Sequence, residues 1–223
     1  MKKTSKGTLA RERIFKAGSV LFAQKGYHAV GVREIADTAG VKLPMISYYF
    51  GGKEELLKAI ISDGFAKFYD SIKQEMALAH GIEQMALAEA RGTIRFFREY
   101  TEIALVAFAA FPIDMAEIHK LRTSLIRREL SSGPRLLEKL KLDVDDPAIA
   151  HVFSEFMYAI VRNHFQYRYS LNFYPTAEKI FTQQKGKANR KNAEEIFDDA
   201  FYERYAEIVA KSFILSAKEM KNG

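Results

Sequence analysis

The sequence predicts an all-α protein in which a small basic helical module precedes a larger, nearly neutral helical body. Three observations carry that reading. Apolar residues recur at helical spacing almost throughout, no alternating run is long enough for a sheet, and only five prolines interrupt the chain. Of the 223 residues, 48% are apolar, enough to bury a sizeable core and too many for a disordered chain. The charge is uneven. Residues 1–53 hold ten basic and three acidic side chains, a net of +7, while the rest holds 24 and 25, a net of −1.

A basic excess confined to one end suits a polyanion, because each neutralised phosphate releases counterions. Other classes are excluded by composition. With no cysteine there is no disulfide framework, thiolate metal site, iron–sulfur cluster or cysteine nucleophile. The most apolar run, Ile103 to Ile113, is too short to span a bilayer. The start, Met1-Lys2-Lys3-Thr4-Ser5-Lys6-Gly7, is basic but lacks the apolar stretch of a secretory signal. A cytoplasmic protein with no cofactor, no metal and no membrane partner is expected.

Taken in order, the first helix covers about residues 9–25, with Ile14, Gly18, Leu21 and Phe22 on one face and Gly26 as its stop. The second, 32–39, repeats the pattern with Val32, Ile35, Ala36 and Ala39, and ends at Gly40. The third runs from Leu43 to Phe50 with Pro44 in its first turn, where proline is tolerated. Gly51-Gly52 breaks the chain, and a long helix from Lys53 to about His80 follows, its inner stripe Leu57, Ile60, Gly64, Phe68 and Ile72. Beyond Gly81, helices are expected at 83–100, 102–111, 114–131, 135–141, 147–172, 176–184 and 193–221.

Helices 32–39 and 43–50, joined by Gly40-Val41-Lys42, have the spacing of a helix-turn-helix. Glycine allows the sharp left-handed turn, and Val41 fills the gap between the helices. The second helix would turn Ile46 and Phe50 inward. Leu43, Met45, Ser47, Tyr48 and Tyr49 would then face a major groove.

These residues also carry a family resemblance. From Arg13 to Leu57 the chain resembles the DNA-binding domain of TetR-family transcriptional regulators. The matching pieces are Ile14 to Phe22 with Gly26-Tyr27, Val32-Arg33-Glu34-Ile35-Ala36, Ala39-Gly40-Val41, Tyr48-Tyr49-Phe50 and Gly52-Lys53-Glu54-Glu55-Leu56-Leu57. The resemblance implies a helix-turn-helix three-helix domain at residues 8–54. A larger helical domain for ligand binding and dimerisation, 55–223, follows it, with the helix at 53–80 linking the two.

It also implies roles. Lys53 would open the fourth helix and grip a backbone phosphate, and Tyr49 would touch phosphate. Lys42, Leu43, Pro44 and Met45 would enter the groove, with Ser47 and Tyr48 beside them and Arg33 reaching the flanking backbone. Two positions depart from the family's habit: Ser47 stands where Tyr is common, and Gly31 where Thr commonly caps the second helix.

For the body, the resemblance implies a homodimer through helices 147–172 and 193–221, a palindromic double-stranded DNA operator and a small-molecule effector. The segment Val152 to Val161 is apolar almost all round, so both of its faces are expected to be buried. Aromatic and Met side chains with a few polar groups suit a largely apolar effector. The candidates are Phe97, Tyr100, Phe108, Met115, His119, Phe153, Met157 and His164.

A ligand-responsive repressor is therefore the expected function, with an activator or a low-specificity DNA binder of the same fold as alternatives. His151 and Glu155, four apart, are the only hint of a metal-dependent helical enzyme, and no Glu-x-x-His pair, phosphate loop or serine nucleophile motif supports it.

Overall fold

A computed structural model of the chain describes residues 6–109, 115–130, 135–142, 146–171 and 197–222. Among them every regular element is an α-helix: α1 Lys6–Lys25, α2 Val32–Ala39, α3 Pro44–Phe50, α4 Lys53–Met76, α5 Gly81–Glu99, α6 Thr101–Ala107, α7 Ala116–Leu130, α8 Arg135–Leu140, α9 Pro147–Leu171 and α10 Asp199–Asn222. The expected helix at 176–184 and the Pro112 break lie outside the described residues. No helix among the described residues is long and apolar enough to cross a membrane.

Local chemistry sets the helix ends. Gly40 and Gly51 adopt left-handed conformations (φ 61° and 84°), and their N–H groups close α2 and α3 onto carbonyls of the last turn. Asp146 accepts N–H bonds from Ala148 and Ile149 at 2.7 and 3.3 Å, capping α9 with Pro147 in its first turn. Asp198 does the same for α10, accepting from Phe201 N–H at 2.8 Å, so that helix starts at Asp199 and not at residue 193. Helix α4 stops at Met76, short of the expected His80: the N–H groups of Leu78 and Ala79 turn to carbonyls three residues back, at 3.4 and 3.2 Å, and His80 is extended. Helix α6 likewise ends at Ala107 and not at residue 111.

The chain gathers into two compact units, Met1–Lys67 with Glu102–Ser132, and Phe68–Thr101 with Gly133–Gly223. The first extends past the expected 8–54 module to take in α6 and α7. Its core is Ile14, Leu21, Phe22, Ile35, Ile46, Leu56, Leu57 and Ile60, none more than 6% exposed. Phe65 stacks on Phe108 at 4.8 Å. In the second unit α5 packs along α10 and against α9. Phe97 stacks on Phe165 at 5.5 Å, and Phe153 and Phe156 meet Phe213 edge-on.

The expected burial of α9 from Val152 to Val161 on both faces does not hold. Helix α9 does not bury both faces within the chain: Val152 is 46% and Ile160 38% exposed. An apolar residue shows only that a site can be buried, whereas Phe153, Met157 and Val161 take the places that face α5 and α10 and are 4% exposed or less.

Candidate nucleic-acid interface

The turn between α2 and α3 is braced from several sides. Val41 N–H donates to Ala36 carbonyl at 3.0 Å, and the Arg13 guanidinium of α1 donates to Gly40 carbonyl at 3.5 Å. Lys25, at the end of α1, pairs with Glu34 of α2 at 2.5 Å, which holds that carboxyl below its usual range. The Arg13 brace joins residues far apart in the chain, so no local pattern announces it.

Helix α3 is anchored by Ile46, with Met45, Tyr49 and Phe50 half-buried, and is open at its other positions. Ile46 is wholly buried, and Phe50 is half-buried against Phe15, with the Arg11 guanidinium 4.8 Å above its ring. Lys42, Leu43, Pro44, Ser47 and Tyr48 are exposed, Tyr48 to 81%. Met45 and Tyr49 are half-buried, and Tyr48 and Tyr49 meet edge-on at 4.9 Å. Tyr48 is thus free of the first helix. Arg33 is exposed in the first turn of α2. Gly31 occupies the α2 cap position in an extended conformation with no side-chain cap bond, the consequence of lacking the hydroxyl found in the family.

Lys53, at the first position of α4, is half-buried, with its ammonium 4.1 Å from the centroid of the Tyr27 ring. Burial pushes its amine below the ordinary value. Tyr27 is raised, first by burial and then by the nearby Glu54. The hydroxyls, cations and small apolar groups on this surface can bond phosphate oxygens and touch base edges, and α3 is free to enter a major groove.

The eight effector candidates are divided between the units. Phe108, Met115 and His119 belong to the first, and His119 borders an open depression with Lys120, Thr123, Ser124 and Arg127. Phe97, Tyr100, Phe153, Met157 and His164 belong to the second. His164 lies within 5.1–5.7 Å of the rings of Phe165, Phe197, Phe201, Tyr202 and Tyr205, with Nε2 3.2 Å from Tyr202 Oη. Burial, and then the charge of Arg168, push its imidazole down to about 4. His151 and Glu155 are exposed, and the described residues hold no group of three or more His, Asp or Glu suited to a metal ion.

A buried anchor, a left-handed glycine turn and an outward second helix define a helix-turn-helix DNA-binding protein. Residues 14–60 match the family model of bacterial regulatory proteins of the TetR family. This end of the chain is thus a DNA-binding domain of the TetR type. It is 25% identical over 122 residues to the probable HTH-type transcriptional regulator YttP of Bacillus subtilis, a match spanning 53% of this chain and 58% of that protein. In fold it is similar to the fatty acid degradation regulator FadR of Bacillus halodurans, with a TM-score of 0.64, 18% identity and coverage of 96% and 97% of the two chains. It is also similar to FadR of Bacillus subtilis in complex with stearoyl-CoA, with a TM-score of 0.60, 13% identity and coverage of 91% and 97%.

Proposed function

We propose that the protein is a ligand-responsive repressor that binds a palindromic operator as a homodimer in the cytoplasm. The observation that carries this reading is the open face of α3, where Lys42, Leu43, Pro44, Ser47 and Tyr48 are exposed around a buried Ile46. In the proposal, residues 8–54 bind DNA, with Arg33, Tyr49 and Lys53 on phosphates and the start of α3 on bases. Residues 55–223 bind the effector and dimerise through α9 and α10. A two-fold dimer reads half-sites about 34–36 Å apart, which is why the operator is palindromic.

The aromatic interior of the second unit supports a largely apolar effector. Since the Bacillus subtilis neighbour holds stearoyl-CoA, a long-chain acyl-CoA is the first compound to test. An effector coupled by about 1–3 kcal/mol weakens operator binding roughly 5–150-fold, with α4 as the lever.

The test is a mobility shift on DNA upstream of the protein's own gene, across salt concentrations and with and without effector. Salt-dependent, sequence-selective binding that the effector weakens is expected. Equal binding to any duplex favours a low-specificity binder, and an effector that tightens binding overturns effector-relieved repression.

A further inference from the structure

Lys53 stands where a cation is ordinarily disfavoured, because a helix N-terminus carries a partial positive charge. The acids that follow do not neutralise it. Glu54 and Glu55 both turn to Lys58, at 3.0 and 2.8 Å. What Lys53 meets is the face of an aromatic ring: its Nζ lies 4.1 Å from the centroid of Tyr27. That ring follows the left-handed turn at Gly26 (φ 76°) and is held by Phe22 at 5.5 Å and by His28, edge-on, at 5.2 Å.

A ring face attracts an ammonium through its quadrupole without consuming the N–H donors. The charge is therefore fixed in place yet still open to an anion. The lowered value of the Lys53 amine has burial as its cause, with no acid offsetting it. A phosphate oxygen would supply that offset. A flexible lysine must otherwise lose rotamer freedom on contact, and a prepaired one loses less.

We infer that Tyr27 is a positioning residue for DNA binding, its ring seating the Lys53 ammonium so that it meets a backbone phosphate. The inference rests on the reading of Lys53 as a phosphate contact. It makes Tyr27 a determinant of affinity but not of sequence preference.

The experiment uses the full chain and a duplex that the wild-type protein selects from a random-sequence pool. Wild type, Tyr27→Leu, Tyr27→Phe, Lys53→Ala and the Tyr27→Leu/Lys53→Ala pair are titrated over a range of salt. Lys53→Ala is expected to lower the slope of log K against log salt by about 0.9 for each bound subunit. Tyr27→Leu is expected to weaken binding roughly two- to fivefold, the effect of an exposed cation–π contact. Tyr27→Phe, which keeps the ring, should bind as wild type.

In the Lys53→Ala background Tyr27→Leu should have no further effect. In the free protein the ring should shift the Lys53 ε-methylene protons upfield, a shift lost in Tyr27→Leu and kept in Tyr27→Phe. An unchanged affinity and slope for Lys53→Ala overturns the phosphate reading itself. If Lys53→Ala weakens binding but Tyr27→Leu weakens both backgrounds by one factor, the ring supports only the fold and the inference fails. A pool from which no duplex is enriched overturns both.

Discussion

At Gly31 the second helix lacks the side-chain cap that a hydroxyl would supply. The residue already has the extended backbone of a helix cap (φ −88°, ψ 152°), and nothing lies within 4 Å of where a Cβ would stand. Glu34 stands three residues on, the position from which a capping-box carboxylate reaches back to the cap. Gly31→Thr would supply the missing cap, its hydroxyl accepting a first-turn N–H of α2, and would also restrict the unfolded chain. A gain of about 0.5–1 kcal/mol is expected. Read as thermal melting, that is a rise of roughly 1–4 °C, and a fall would show the position to be strained. The glycine itself was legible in the sequence, as were Ile46 as anchor and Lys53 as the first residue of α4. The exposure of Tyr48 against the half-burial of Tyr49 was not, since two adjacent tyrosines on a short helix differ only in angle.

Between elements, small residues decide how closely helices approach, and here sequence is less informative. A Cβ on Gly92 of α5 would lie 2.7 Å from Ile72 Cα and 3.0 Å from Ser71 carbonyl oxygen, both α4 backbone. Ser71 Oγ also donates to the Gly92 carbonyl at 2.9 Å, tying the helices at that point. Backbone cannot swing aside. Gly92→Ala is therefore expected to destabilise by about 1–3 kcal/mol, overriding the better helix propensity of alanine. Gly18 is the comparison: its Cβ would meet Leu56 Cδ2 at 2.8 Å and Cγ at 3.2 Å, side-chain and not backbone atoms, so Gly18→Ala should cost less. Urea denaturation midpoints of the two variants check the order, and a neutral Gly92→Ala would refute the close approach. A glycine inside a helical pattern reads as the same letter whether it is a weak point or a contact, so Gly92 gave no signal in sequence. The start of α10 at Asp199 is hidden in sequence for a related reason, because the Asp198 cap depends on a rotamer and not on periodicity.

Over the whole molecule, the uneven charge and the uncovered apolar faces make one argument. The +7 of residues 1–53 falls on the end of the chain that carries the helix-turn-helix, and a dimer would present it twice. On α10, Ile208 is 48% and Leu215 51% exposed, seven residues apart on one face, while Val152 and Ile160 of α9 are 46% and 38% exposed. The sequence indicated these as apolar but did not say which would be left uncovered by their own chain. Because a two-fold interface sets each patch against its own copy, Ile208→Glu with Leu215→Glu would place like charges together in the dimer. In the monomer the same changes are at exposed positions and should shift stability by only about 0.5 kcal/mol each. The expected outcome is a protein of unchanged helical circular dichroism that sediments as a monomer. Its melting temperature should lose any dependence on protein concentration, and the salt slope of DNA binding should fall to about half, since one subunit makes half the phosphate contacts. A variant that still sediments as a dimer would place the interface elsewhere. A variant that is monomeric yet keeps wild-type affinity and slope would overturn the claim that two subunits grip the operator together.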